Sequence, residues 1–317
     1  MVSLLGLDPG TYRPHEVHTG DRAYTETNCY TDILIELLHA RGDEPLAAMG
    51  FTVRMDFEGD QWTFFKPPPE DLEELFGVDI HEMQPYRALP EQIEEQLEEG
   101  RTMIVELDSF YLPDTAATAY RRDHVKSSAI MESIDPGAER LRYFHNSSLY
   151  ELEGEDYRGV FRTAGEWIGD VLPPYTELVR FDVGERLQGD ALRERARALL
   201  ARHLARRPKT NPFERFGARL QEDLPALLEG DSEQYHAYAF ATVRMVGSAM
   251  EICASHVDWL LGEDGREASE ALRRIVDGSK LLSFKLARRR PFDAAAPLGE
   301  AARAWEEAMR ALESRVG

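Results

Sequence analysis

The chain changes character near residue 180, and that change limits what it can fold into. Up to that point prolines and glycines punctuate short stretches, some β-branched and some helical in pattern. Beyond it, nearly every segment is rich in Ala, Leu, Arg and Glu, with apolar residues at helical spacing. No single layer architecture accommodates both patterns. Two domains are therefore predicted: residues 1–180, a mixed α+β domain, and residues 181–317, an all-α helical bundle, joined near Pro173-Pro174 and Gly184. Charge divides at the same place. Residues 1–180 carry 36 Asp/Glu against 15 Lys/Arg, so the formal net charge of −21 belongs wholly to the first half. The second half is neutral, with local basic clusters.

These features exclude several classes. So acidic a chain makes a poor general nucleic-acid binder, because phosphate contacts need a positive surface. There is no long uncharged apolar run and no basic-plus-apolar leader at Met1, so neither a membrane span nor a signal peptide is expected. Two cysteines, Cys29 and Cys253, are too few for a disulfide framework or a four-cysteine zinc site, and they point to a reducing cytoplasm. HExxH, CxxC, GxGxxG and P-loop patterns are absent. His15, His18 and His81 form no convincing ligand set, so neither a metal nor a bound cofactor is expected.

Local patterns give the elements. Ile33, Leu34, Leu37 and Leu38 predict a helix over 28–41, capped by Thr27 or Asn28 and stopped at Gly42. FTVRMDF (51–57) reads as strand-like. Pro69 and Pro90 open two acidic helices. TMIVELDSFYL after Gly100 predicts a buried strand. HVKSSAIMESI (124–134), the Asp135-Pro136-Gly137 turn and RLRYFHN (140–146) predict a hairpin. SLYELEGEDYRGVFR reads as a strand leading into a short helix. Later helices are predicted near 190–206, 213–228, 233–261, 266–288 and 296–314.

Cys29 is the most informative residue. It begins the first predicted helix, where unpaired backbone N–H groups and the helix dipole favour negative charge and suit a thiolate nucleophile. A buried structural cysteine is the alternative. Cys253, inside AMEICASHVDWLL, reads as core. His124 opens a predicted strand. Asn146, at the end of the next strand, reaches back toward it in the antiparallel hairpin, completing a Cys–His–Asn arrangement. His145 points to the opposite face. The order of cysteine on an early helix, histidine on a strand and Asn one strand later is that of papain-like enzymes. A structural strand-edge histidine is the competing reading.

Longer motifs add to this. The segments TETNCYTDILIELLHARG, FEGDQWTFFK, GRTMIVELDSFYLPDTAATAYRRDHV and YFHN, with NPFERFG and YHAYAFATVR later, make the chain similar over nearly its full length to an uncharacterised bacterial family. That family in turn resembles the butirosin biosynthesis protein H type of acyltransferase, within the papain-like cysteine peptidase superfamily. The resemblance implies an α+β, papain-like N-terminal domain followed by an all-α helical C-terminal domain. It carries the shared pattern onto Cys29, Asp108, Tyr111, Pro113, His124 and Asn146. There are departures: Asn146-Ser147 stands where the pattern has aspartate-proline, and Lys126, Ser127 and Ser128 replace the apolar residues after the histidine.

The chemistry this resemblance implies is acyl transfer through a thioester. Cys29 would take an acyl or aminoacyl group from the phosphopantetheine arm of a carrier protein and deliver it to a small-molecule amine in specialised biosynthesis. His124 would move the proton, and the Cys29 backbone N–H, with Asn28 or Gln61, would hold the oxyanion. Glu26 and Asp108 could bind the acceptor's ammonium group, or be ordinary solvated carboxylates. Trp62, Phe64, Phe65, Tyr111 and Tyr120 fit core packing, with one or two free to line an acyl pocket. Arg202, Arg206, Arg207 and Lys209 form one basic cluster, and Arg288, Arg289 and Arg290 part of another. Each is either a solvated face or a dock for an acidic carrier. Two further readings share the site: a papain-like peptidase or amidase, and a non-catalytic carrier- or ligand-binding protein.

Overall fold

The computed structural model describes residues 1–163, 173–288 and 290–316, and the chain forms two compact units. The first comprises Met1–Gly20, Asn28–Pro45 and Pro69–Leu187; the second comprises Asp21–Thr27, Leu46–Pro68 and Gln188–Gly317. Two stretches of the N-terminal half, 21–27 and 46–68, thus group with the helical region.

The first unit is mixed α/β, built on a seven-stranded antiparallel sheet. Its strands are β1 (Val2–Ser3), β2 (Asp79–Met83), β3 (Thr102–Asp108), β4 (Lys126–Asp135), β5 (Arg140–His145), β6 (Ser148–Glu153) and β7 (Thr176–Arg180). They lie in the order β2-β7-β3-β4-β5-β6, with β1 paired to β4. The predicted hairpin is β4–β5, in which Ala129 opposes His145 and a bulge falls between Met131 and Ser133.

Helices α1 (Glu16–Thr19), α2 (Cys29–Ala40), α3 (Pro69–Phe76), α4 (Leu89–Glu98) and α5 (Glu155–Phe161) complete the unit. Helix α2 lies against β4 and β5. It is buried on nearly every side: Ile33, Leu34, Ile35, Leu37 and Leu38 supply apolar surface, and Asp32 and Glu36 are buried with them. Burying each of these apolar side chains is worth about 1.5–3 kcal/mol, so this helix is a principal source of the unit's stability. On the other sheet face, Ile93 and Leu97 of α4 and Tyr157 and Val160 of α5 join Val105, Leu107, Met131 and Tyr143 in one core cluster.

The second unit is helical: α6 (Gly189–Leu204), α7 (Pro212–Glu229), α8 (Ser232–Ala239), α9 (Met245–Leu261), α10 (Arg266–Ala287) and α11 (Ala295–Val316), with a π-helical turn at Phe240–Arg244. Trp62 is buried between Phe57, Phe213 and Phe216, its ring 4.9 Å from that of Phe213. That aromatic cluster fastens 46–68 to α7. Among the described residues no helix is long and apolar enough to cross a membrane.

Two expectations need correcting. FTVRMDF is not a strand, because Pro45–Arg54 winds as successive 3₁₀ turns. Phe51, Thr52 and Val53 are consecutively buried, and the Thr52 hydroxyl donates back to the Met49 carbonyl at 2.7 Å, a local bond that competes with strand pairing. His124 does not open β4 but precedes it by two residues.

Candidate functional site

Asn28 sets the start of α2. Its backbone is extended, with φ −147° and ψ 155°, and its Oδ1 accepts from the backbone N–H of Tyr30 at 3.1 Å and of Thr31 at 2.9 Å. Two of the helix's unpaired donors are thereby satisfied. Cys29 becomes the first helical residue, partly buried, with Sγ 3.9 Å from Oγ of Ser128 on β4.

Strand alternation and register then define a polar surface. Ser128 and Lys126 share one face of β4, and they oppose Glu106 and Asp108 of β3. Lys126 Nζ lies 2.5 Å from Glu106 Oε1. Just before β4, Nδ1 of His124 lies 2.6 Å from Oδ2 of Asp108. The imidazole stacks on Phe110, with centroids 4.4 Å apart and planes at 9°. These two contacts orient a side chain that is 58% exposed. Because Nδ1 is engaged by the carboxylate, Nε2 is the nitrogen left to meet a ligand. Glu106, Asp108, His124, Lys126 and Tyr175 line a cavity of about 460 Å³, a size suited to a small ligand.

A buried carboxylate links this cavity to α2. Tyr175 donates to Glu177 Oε1 at 3.0 Å, and Tyr30 donates to Oε2 at 2.5 Å. Burial, reinforced by the Glu177 charge, pushes the Tyr175 hydroxyl up to about 12 and raises that of Tyr30 above its ordinary value. Both phenols therefore stay protonated donors. Since Tyr30 follows Cys29, the network runs from the cavity wall to the residue beside the thiol.

The structure keeps Cys29, His124 and Asn146 in three separate environments. The thiol meets Ser128, four residues beyond His124 and about 13 Å further along an extended chain. Asp108, not Asn146, holds the imidazole. Asn146 is the first residue of the two-residue β5–β6 turn, at a left-handed φ of 45°. Among the described residues its side chain makes no hydrogen bond. The turn takes Asn146 out of the strand whose alternation was expected to aim it at His124.

Other candidates are dispersed. Glu26 and Gln61 belong to the second unit. The Glu26 carbonyl accepts from Arg244 at 3.2 Å, and Gln61 is exposed in a turn. Tyr111 packs its ring against Gly159 of α5, so closely that a Cβ there would lie 2.2 Å from the ring. Arg202 is partly buried on α6, and Lys209 is exposed beyond it. Arg207 pairs with Glu313 at 2.7 Å, and Arg206 faces a cavity of its own. Arg288 lies over the Phe284 ring at 4.2 Å. Arg288 and Arg290, with Lys285, line a cavity of about 620 Å³. Arg289 lies outside the described residues.

Sequence reasoning missed one constellation altogether. On the opposite face of β4, Ser127 Oγ lies 2.6 Å from Nε2 of His145, whose Nδ1 lies 2.5 Å from Asp114 Oδ2. Tyr143 donates to the other Asp114 oxygen at 2.5 Å. The order of groups is that of a hydrolase triad. Yet the His145 and Asp114 side chains are only 1% and 3% exposed, and none of the three residues lines the cavities described above. The network fastens the LPDT turn to the β4–β5 hairpin. Alternation along β5 was the only available signal, because nothing local brings Asp114 to that strand.

The class so defined is a mixed α/β unit with a polar, histidine-bearing cavity at the sheet, followed in sequence by a helical unit. Residues 13–181 match the DUF1839 N-terminal domain and residues 189–314 the DUF1839 C-terminal domain, and the chain belongs to this two-domain family. No curated protein matches it. Among the described residues, no group of three or more His, Cys, Asp or Glu is placed to hold a metal ion.

Proposed function

We propose that this chain is a cysteine-dependent acyl or aminoacyl transferase with a papain-like first domain. Its donor is the phosphopantetheine thioester of a carrier protein, and its acceptor is a small-molecule amine. The observation carrying the proposal is the His124–Asp108 pair lining a cavity of about 460 Å³, on the sheet face that Cys29 meets through Ser128. A cysteine starting a buried helix laid on an antiparallel sheet also fits the butirosin-type resemblance.

The chemistry divides between the two groups. Cys29 attacks the thioester carbonyl, forming a new C–S bond as the bond to pantetheine breaks, and its thiol proton passes through solvent to the departing pantetheine sulfur. His124, which has no hydrogen bond to Cys29, acts on the acceptor instead. It takes a proton from the ammonium form of the acceptor held in its cavity and passes it to solvent. The free amine then displaces Cys29, and the proton it sheds returns to the sulfur through solvent. The Cys29 thiol is restored and the amide is released. The basic cavity at Lys285, Arg288 and Arg290 suits an acidic carrier. A nucleophile that works as a free thiol suits a reducing compartment such as the cytoplasm.

Intact-mass measurement after incubation with an acylated carrier tests the assignment. A mass increase equal to the acyl group is expected, and it should vanish in Cys29→Ala. The same adduct on the variant overturns the proposal.

A second reading, a carrier- or ligand-binding protein without turnover, draws support from one feature: the residue facing the thiol is Ser128 rather than a base. It predicts carrier binding with no adduct on the native chain, and slow alkylation of Cys29 at neutral pH.

A further inference from the structure

The segment FEGDQWTFFK has no part in the chemistry above, yet it builds one wall of a cavity in the second unit. This cavity encloses about 420 Å³, and its lining includes Arg54, Asp56, Glu58, Phe64, Lys66 and Arg206. Burial of Trp62 and Phe65 in the same segment turns Phe64 outward, where it is 52% exposed.

The charges around this cavity are not balanced by one another. Asp56 is paired with Arg215 and also accepts from the Phe57 N–H at 2.8 Å. Glu58 accepts from the Thr63 hydroxyl at 2.8 Å. Arg54 and Arg206 are exposed, and among the described residues their side chains make no hydrogen bond or ion pair. Two guanidinium groups directed to one concavity without carboxylate partners form a site for an anion with more than one charged group. Their planar forks match phosphate oxygens in geometry. Phe64 adds an exposed aromatic face on which a flat ring can stack.

We infer that this cavity binds a phosphorylated ligand bearing a planar ring, a nucleoside diphosphate in class. Its phosphates are held by Arg54 and Arg206, and its base lies on Phe64. The site belongs to the second unit and does not depend on the acyl chemistry assigned to Cys29.

Titration calorimetry of the full chain with ADP and with inorganic pyrophosphate tests this. ADP is expected to bind more tightly than pyrophosphate, and added salt to weaken both. Arg54→Ala combined with Arg206→Ala should weaken ADP binding about tenfold or more. Phe64→Ala should bring ADP down to the affinity of pyrophosphate. All three side chains are exposed, so the variants should melt as the native chain does, and Cys29→Ala should bind ADP unchanged. Absence of ADP binding, equal affinity for the two probes, or ADP binding untouched by the double arginine variant overturns the inference.

Discussion

Asp108 Oδ2 lies 2.6 Å from Nδ1 of His124, so the end of β3 orients an imidazole that stands just outside β4. With Nδ1 donating to that carboxylate, Nε2 is kept as the acceptor that acid–base work requires. Asp108→Asn should leave the fold intact and slow acyl transfer to the amine by about 10²-fold, and His124→Gln should cost a similar factor. The double variant should be no slower than the worse single one, because the two residues act as a unit. Single-turnover transfer rates check this, and multiplying losses would refute the coupling.

The two thiols differ in a way alkylation can read. Cys29 is partly exposed at a helix start, whereas Cys253 is fully buried in α9. Burial pushes the Cys253 thiol up to about 11, with Thr52 pulling weakly the other way. Under native conditions iodoacetamide should modify Cys29 and spare Cys253 until the chain is unfolded. Peptide mapping decides, and early labelling of Cys253 would contradict the packing of α9.

What the sequence disclosed was local. Ile33, Leu34, Leu37 and Leu38 marked α2, Asn28 supplied its cap, and so Cys29 could be placed at a helix start. The β4–β5 hairpin was legible from its turn. The His124–Asp108 pair was not, because it depends on the β3–β4 register across an irregular connection. Asn146 misled because a two-residue turn at positive φ looks, in sequence, like one more strand residue. Nor could local pattern show that Trp62 would pack against Phe213 and Phe216, some 150 positions away.

His18 sits in a fully buried ionic cluster. Its Nε2 lies 3.2 Å from Asp32, and its Nδ1 bonds Glu36. Burial alone would lower its proton affinity, but the hydrogen bonds and charges of Asp32 and Glu36 outweigh it and push the imidazole up to about 9. The folded state therefore holds a proton that the unfolded state releases above about 6.5. Its contribution is complete below that pH and is lost as pH rises through about 9, a drop on the order of 3 kcal/mol. Urea midpoints measured across this window should fall, and His18→Gln should flatten the slope while costing about 3–5 kcal/mol.

Tyr111 and Gly159 meet where no side chain fits. A Cβ on residue 159 would lie 2.2 Å from the Tyr111 ring, so Gly159→Ala should destabilise the first unit by about 1–3 kcal/mol. Adding Tyr111→Leu should recover part of that loss, since the smaller side chain can withdraw. Denaturation of the four chains closes a double-mutant cycle. Additive losses would mean that this contact does not hold α5 in place.

Ser127, His145 and Asp114 form the arrangement most easily mistaken for the catalytic centre. Asp114 accepts from both Tyr143 and His145 in a nearly sealed environment, and burial keeps the Tyr143 hydroxyl protonated as a donor. Removing the carboxylate with Asp114→Ala strands two buried polar groups and should cost about 2–5 kcal/mol. Ser127→Ala removes only the outer member and should cost about 1 kcal/mol. If the network is a fastening, Ser127→Ala transfers acyl groups at the native rate, and a fluorophosphonate probe leaves native Ser127 unlabelled. A loss of about 10²-fold or more in Ser127→Ala with unchanged melting, or a phosphonylated Ser127, would move the chemistry from the Cys29 face of the sheet to the opposite one.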